Sequence, residues 1–130
     1  MKRRLVIIGI VIICILAGGL STLHILMGFS IKQNIKLAQQ KYPGTVEDAL
    51  ISYMMDENIS AKGRTHEAIW TLGQVRSEKA LHYLKDLYRN DPKGKTCYGK
   101  HDQMLCQYEI HKAIVAIERR GLISYARLNK

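Results

Sequence analysis

An uninterrupted apolar segment near the N-terminus constrains this chain more than any other feature. Residues 5–29 contain no Asp, Glu, Lys or Arg. An α-helix rises about 1.5 Å per residue, so this segment is about 37 Å long and exceeds the roughly 30 Å hydrocarbon core of a bilayer. The sequence therefore predicts one transmembrane helix over residues 5–29, and only the residues that follow are left to form a core in water.

Charges on both sides of this segment bear on its orientation. The three residues at positions 2–4 are basic, which favours a cytoplasmic tail over residues 1–4. Lys32, Lys36 and Lys41 follow the segment, so the difference in charge between its two sides is small. We expect a single-pass protein of the cell (inner) membrane, with its N-terminus in the cytoplasm and its C-terminal domain on the extracytoplasmic side.

A cleaved signal peptide is the competing interpretation of the same segment. Small residues at positions 17–19 follow an apolar run, as they do at a cleavage site. The apolar run continues to Phe29, however, and a mature chain that began after position 19 would expose it to water. We therefore favour a membrane anchor, while cleavage stays the alternative.

The remaining residues have the spacing of short amphipathic helices. With 47% hydrophobic residues and only two prolines, the chain is too apolar for disorder and carries no β-sandwich signature. A weakly amphipathic stalk is expected over residues 30–44, ended by Tyr42-Pro43-Gly44. The sequence predicts an all-α domain over residues 45–130, built as two stacked helical hairpins.

Four helices are expected in this domain, each with an apolar stripe facing inward. Thr45 with Asp48 forms a capping box before the first helix, and Ser77 caps the third. The second helix is expected over residues 64–74 after a break at Gly63, and the fourth over residues 103–120, ended by Gly121. A short tail helix is expected at residues 122–128. The stripes comprise Val46, Ala49, Leu50, Tyr53 and Met54; Ala68, Ile69, Leu72 and Val75; Ala80, Leu81, Leu84, Leu87 and Tyr88; and Cys106, Ile110, Ala113, Ile114 and Ile117.

The stretch 67–84 resembles a HEAT-like repeat of the short kind found in bilin-lyase-type and many small bacterial repeat proteins. Thr71-Leu72-Gly73 matches the Ala-Leu-Gly phrase that ends the second helix of such a repeat. Ala80-Leu81 and Leu84 match the Ala-Leu-x-x-Leu phrase that opens the next one. The usual Gly-Asp-Pro turn is replaced by Arg76-Ser77-Glu78. The resemblance implies a small HEAT-like domain, and it implies no lyase activity because a fold does not carry a function.

Cys97 and Cys106 are the cysteines of the soluble part. In an extracytoplasmic compartment, which is oxidising, a disulfide between them is expected. It would stabilise the domain by on the order of 2.5 kcal/mol in the chain-entropy account. The alternative is a pair of unbonded thiols, with Cys106 filling the apolar stripe.

Zinc is a further alternative, because Cys97, His101, Cys106 and His111 have the ligand types of a tetrahedral site. Cys106 and His111 are five residues apart on the predicted helix, so their side chains would diverge by about 140°. That divergence argues against a metal, and the sequence predicts no metal site and no cofactor.

Three residues are candidates for contact with a protein partner: Trp70, Arg64 and His66. Trp70 is the only tryptophan, and core packing competes with the role of an exposed anchor. No glycine-rich phosphate loop, HExxH or GxSxG occurs, and no acid and base are placed as a catalytic pair. We therefore expect a protein that is not an enzyme.

The net charge of +9 leaves basic residues on the soluble part. Without a recognition fold in the cytoplasm they do not indicate nucleic acid, and anionic lipid headgroups are nearer partners for a tethered domain. The sequence thus predicts a membrane-anchored scaffold that binds an unidentified protein. The alternative is an accessory subunit or modulator of a membrane complex that acts through its transmembrane helix, where Gly18 and Thr22 form a small-xxx-small step.

Overall fold

The computed structural model of this chain describes the backbone of residues 2–128 and the side chains of residues 7–119. Between residues 2 and 128 it consists of helices and turns, with no strand. This confirms the predicted all-α class. There are five helices: α1 (Lys2–Lys41), α2 (Val46–Met55), α3 (Ala61–Gly63, Arg64–Ile69 and Trp70–Val75 without a break), α4 (Glu78–Ala80 and Leu81–Leu87) and α5 (Gln107–Leu128).

Helix α1 contains the apolar segment. Its part Ile7–Lys41 is long and apolar enough to cross a membrane, and its large apolar side chains from Ile7 to Phe29 are exposed. The Ser21 hydroxyl donates to the carbonyl of Ala17, and the Thr22 hydroxyl donates to the carbonyl of Gly18, both at 2.9 Å. Both hydroxyls are therefore hydrogen-bonded within the helix, as an apolar environment requires. The helix ends at Lys41, as predicted from the Tyr42-Pro43-Gly44 sequence.

The chain divides into two compact units, residues 1–33 and residues 34–130. The second unit begins inside the predicted stalk, because the last turns of α1 pack against the helical domain. Ala38 is fully buried, and the Asn34 side-chain amide donates to the Thr71 hydroxyl at 3.0 Å. Asn34 and Ala38 lie one turn apart on the same face of α1, so both can contact the domain.

The predicted caps are present. The Thr45 hydroxyl accepts from the backbone N–H of Asp48 at 3.2 Å, and the Ser77 hydroxyl accepts from the N–H of Ala80 at 3.3 Å. Most of the predicted stripe residues form the core. Ala38, from the last turns of α1, and Ile51 are also part of it. The buried members are Ala38, Ala49, Leu50, Ile51, Tyr53, Met54, Ala68, Ile69, Leu72, Ala80, Leu84, Ile110, Ala113, Ile114 and Ile117.

Three predicted helix boundaries are wrong, one in α3 and two in α5. Helix α3 begins at Ala61, where the Ser60 hydroxyl accepts from the Gly63 N–H at 3.2 Å, so Gly63 lies inside the helix rather than in a loop. Its middle part, Arg64–Ile69, is π-helical: the Trp70 N–H donates to the carbonyl of Thr65, five residues earlier.

Helix α5 begins at Gln107 instead of residue 103 and continues through Gly121 to Leu128. The predicted end at Gly121 and the separate tail helix are therefore wrong. A glycine inside a helix costs only about 1 kcal/mol and does not by itself end it. Packing of this tail against the domain was also expected, but it lies outside the side chains that the structure describes. The connection between α4 and α5 occupies residues 88–106 and consists of turns.

Helix α3 contacts both α2 and α5, and α5 also contacts α4. The hairpins α2–α3 and α4–α5 are thus joined mainly through α3 and α5. A Cβ atom at Gly73 would lie 2.9 Å from the Cα of Ala113, so only glycine allows this close approach. Helix α3 ends with Arg76 in the left-handed conformation, at φ 54°, and the N–H of Ser77 donates to the Leu72 carbonyl at 3.1 Å.

Candidate functional site

The loop between α4 and α5 is ordered by side-chain hydrogen bonds. One oxygen of Asp91 accepts from the backbone N–H and from the hydroxyl of Thr96, both at 2.7 Å. These bonds lower the pKa of the Asp91 carboxyl. The Gln107 side chain accepts from the N–H of Arg89 at 2.7 Å and donates to the carbonyl of Leu87 at 3.4 Å. The N-terminal end of the loop is therefore fixed to the start of α5.

A buried glycine shapes the centre of this loop. Gly94 has φ +64°, and a Cβ atom there would lie 3.0 Å from the Cβ of Tyr108 and 3.3 Å from the Sγ of Cys97. Any other residue would be strained and would crowd the sulfur. The loop can therefore fold inward around Cys97, which is fully buried.

The predicted disulfide between Cys97 and Cys106 is not formed in the structure. Both are free thiols whose Sγ atoms lie 3.6 Å apart, whereas a disulfide bond is about 2.05 Å long. The sulfurs are hydrogen-bonded to each other instead. The Cys97 thiol is also within hydrogen-bonding distance, 3.3 Å, of the carbonyl oxygen of Gly94, to which it can donate. Burial raises the pKa of the Cys106 thiol. The two cysteines lie side by side, but the predicted bond between them is absent.

His101 completes a group of three ligand types at this place. One nitrogen of its imidazole and the two sulfurs all lie within 4.8 Å of one another. We call Cys97, His101 and Cys106 the sulfur cluster; its cysteines are buried and its histidine is exposed. His111, the fourth candidate ligand in the sequence, stacks on the ring of Tyr88 instead, with centroids 5.6 Å apart. Cys106 precedes α5, so the helical angle between Cys106 and His111 has no bearing on the cluster.

A second candidate site is a groove between α3 and α5 with a volume of about 360 Å³. Trp70, Gly73 and Gln74 line it from α3, and Lys112, Ala116 and Arg119 are among its residues from α5. We call it the Trp70 groove. Trp70 is partly buried and partly exposed, so it is accessible from the groove that it lines. The residues of α5 were not predicted from the sequence, because the pairing of α3 with α5 has no local signal.

Arg64 and His66 are not among the lining residues of the Trp70 groove. The Arg64 side chain donates from Nε to the carbonyl of Met54 at 2.6 Å, which ties α3 to the end of α2. His66 is exposed on the π-helical part of α3. The structure therefore gives Arg64 a structural contact and leaves Trp70 as the candidate that lines a groove.

Two tyrosine–carboxylate pairs lie in and next to the α2–α3 hairpin, and Tyr42 belongs to the turn that precedes α2. The Tyr42 hydroxyl donates to Asp56, which also pairs with Lys41 at 3.1 Å, and these bonds hold the pKa of the Asp56 carboxyl well below its usual range. The Tyr53 hydroxyl donates to Glu67. Burial, with the Glu67 carboxylate adding to it, raises the pKa of Tyr53. The rings of Tyr42 and Tyr53 meet edge to face at 6.1 Å, so the two pairs form one cluster.

Comparisons of this chain with protein families, with curated proteins and with solved structures find no match. The resemblance of residues 67–84 to HEAT-like repeats thus stays a prediction from the sequence.

Proposed function

We propose that this protein is a membrane-anchored interaction module. In this proposal α1 holds it in the cell (inner) membrane with the N-terminus in the cytoplasm. The helical domain, on the extracytoplasmic side, binds another protein and acts as a scaffold rather than as an enzyme. The observation that carries the proposal is the Trp70 groove, a concave surface with an accessible tryptophan at its edge.

The composition of the groove suits a protein partner. Tryptophan and arginine are the residues that most often dominate binding energy at protein interfaces, and both line this groove, as Trp70 and Arg119. Lys112 pairs with Glu109 at 3.2 Å, so the basic side of the groove is partly neutralised. A partner segment that places an apolar side chain beside Trp70 and a carboxylate beside Arg119 would complement both parts.

The arrangement of the hairpins supports the scaffold class. The α2–α3 and α4–α5 hairpins are joined through α3 and α5, which is how neighbouring hairpins stack in helical repeat proteins. We propose that the domain is a two-hairpin HEAT-like unit. Its exposed basic residues would favour anionic lipid headgroups over nucleic acid as a secondary contact.

Quantitative affinity capture from native membranes tests this function. Trp70→Ala should lose the captured partner, and Ala116→Arg, which fills the groove without removing a core side chain, should do the same. The matched control is Tyr98→Ala, because Tyr98 is an aromatic residue that is 85% exposed and is not among the groove's lining residues. Equal capture by all four proteins would refute the groove as the binding surface. Circular dichroism checks that the variants remain helical.

The accessory-subunit function is the second candidate. It is favoured by the exposed apolar side chains of α1 and by Gly18, where nothing lies within 4 Å of a Cβ atom, so another helix could approach closely. Replacing residues 5–29 by an unrelated transmembrane helix distinguishes the two candidates. An interaction module keeps its partner after this exchange, whereas a subunit that acts through its span loses it. A reporter fused after Lys130 that is active only in the extracytoplasmic compartment tests the orientation.

A further inference from the structure

The distance between the sulfurs of Cys97 and Cys106 matches a shared metal ion. A tetrahedral zinc with Zn–S bonds of about 2.3 Å holds two sulfurs about 3.8 Å apart. The observed Sγ–Sγ distance of 3.6 Å is close to this value. The sulfurs could therefore bind zinc with only a small movement.

The third group of the cluster supplies a further ligand of suitable type. A His101 ring nitrogen lies within 4.8 Å of both sulfurs, near enough for all three atoms to contact one ion after small side-chain rotations. Two thiolates and one imidazole select zinc over calcium and magnesium, which require oxygen ligands. The ligands follow one another as Cys-x3-His-x4-Cys, so a single loop carries them all.

One backbone donor next to Cys97 suits a metal-bound thiolate, whereas the carbonyl of Gly94 accepts from the neutral thiol, which would have to lose its proton to the solvent when it binds an ion. The backbone N–H of Gln107 donates to the Cys97 Sγ at 3.3 Å, and such a bond stabilises negative charge on a sulfur. The backbone N–H of Cys106 donates to the Thr65 hydroxyl at 3.2 Å, which anchors the second sulfur to α3. Gly94 and the Asp91–Thr96 bonds hold the loop in this shape, so the ligands are largely preorganised.

The balance of charge also fits. Each of the two thiols releases one proton to solvent as it binds the ion, and no electron is transferred. Two thiolates neutralise the double charge of Zn²⁺, so Lys95 and Lys100 in the same loop oppose binding little. Since His101 is on the exposed side, a fourth coordination position would face solvent and could hold a water molecule.

We propose that Cys97, His101 and Cys106 bind one Zn²⁺ ion per chain through two sulfurs and one imidazole nitrogen, with a water molecule at the fourth position. This proposal is independent of the partner-binding function, because the cluster and the Trp70 groove share no residue. The ion would hold the loop of residues 88–106 against the start of α5. The disulfide expected from the sequence is its competitor, because two sulfurs bonded to each other cannot also act as thiolate ligands.

The full chain in detergent, reduced and treated with a chelator, tests the site by titration with Co²⁺ and then with Zn²⁺. We expect sulfur-to-cobalt charge-transfer bands and tetrahedral d–d bands that saturate at one ion per chain and disappear when zinc displaces cobalt. Cys97→Ser and Cys106→Ser should lose the charge-transfer intensity. His101→Asn, at an exposed position that folding does not need, should weaken zinc binding by at least about tenfold.

Two matched controls make the test specific. Cys14→Ser removes the cysteine of α1, which is exposed, and His111→Asn removes the histidine that stacks on Tyr88. Neither should change the bands or the affinity. Absence of charge-transfer bands in the reduced wild type would overturn the proposal, as would zinc binding that is equally tight in His101→Asn. A Cys97–Cys106 disulfide in the native chain, combined with no zinc binding after reduction, would replace it with the disulfide.

Discussion

The two hairpins of the domain are closed by different chemistry. The α2–α3 hairpin has a short connection and is held through oxygen atoms: Tyr53 of α2 donates to Glu67 of α3, and Tyr42, which precedes α2, donates to Asp56 in the connection. The α4–α5 hairpin has a connection of residues 88–106, and its centre is a pair of buried thiols. A short turn needs only a few side-chain bonds. A long loop without helices needs buried residues of its own to hold its shape, and the two cysteines and Gly94 are those residues.

This difference teaches that the two hairpins should respond to different solution conditions. Protonation affects carboxylates, so acid should act on Asp56 of the first hairpin and also on Asp91, whose bonds to Thr96 shape the loop of the second. Oxidants act on thiols, and chelators would remove the ion proposed for the sulfur cluster, so both treatments should affect the second hairpin. The close approach of Gly73 to Ala113 joins the two, and whether they unfold together depends on that contact.

The largest effect is expected from Gly73→Val, which breaks the joint between the hairpins. Its Cβ would lie 2.9 Å from a backbone atom of α5, so the helices must separate. We expect a loss of about 3 kcal/mol, or on the order of 15 °C in the unfolding midpoint. Thermal unfolding followed by circular dichroism measures it. Gln74→Val introduces the same side chain at an exposed neighbour, where it costs only about a few tenths of a kcal/mol in helix propensity, and should shift the midpoint by a small fraction of that amount.

Tyr53→Phe weakens the first hairpin alone. The ring stays, but buried Tyr53 no longer donates to Glu67, whose carboxylate loses a charge-assisted bond. The expected cost is about 1.5 kcal/mol. Hydrogen exchange should increase in α2 and α3, while the loop of residues 88–106 stays as protected as in the wild type. Equal deprotection of that loop would show that the hairpins do not respond separately.

Arg76→Gly acts on the connection between the hairpins and should stabilise the domain. Arg76 has φ 54°, a conformation that costs a non-glycine residue on the order of 1 kcal/mol. We expect a gain of about 0.5–1 kcal/mol in chemical unfolding of the full chain. Arg76→Ala keeps the strained backbone and is the control that should not gain. A loss in both variants would show that contacts of the Arg76 side chain outweigh the strain.

The smallest effect concerns acid and Asp56. Hydrogen bonds from Tyr42 depress the folded-state pKa of this carboxyl below its unfolded value of about 3.9. Its contribution to stability is therefore complete above that value and is lost as the pH falls below about 4. Asp56→Asn should flatten this part of the stability–pH curve. Tyr42→Phe removes the main cause of the shift, so the loss of stability between pH 6 and pH 2 should be smaller than in the wild type, which a series of unfolding curves over this range would detect as a change of order a few degrees.

The parts of the fold that sequence analysis predicts are those with local causes. Thr45 and Ser77 cap helices because the bond is to a backbone group three residues away, and the apolar stripes follow the helical period. The start of α5 and the contacts of His101 depend on a loop whose shape is set by Gly94 and Asp91. The residues of the Trp70 groove come from helices that meet only in three dimensions. A single sequence contains no signal for such pairings, so the site was predicted only as far as Trp70.

The π-helical part of α3 has a consequence for the comparison of this chain with other proteins. Where the Trp70 N–H bonds to Thr65, five residues back, the turn holds one residue more than an α-helix does. Side chains before and after this turn are therefore out of phase by about 100° relative to an unbroken α-helix. An alignment of α3 with an ordinary helix of a helical hairpin needs a gap of one residue near positions 65–69. Without that gap, either Trp70 or the residues near Ala61 would be assigned to the opposite face.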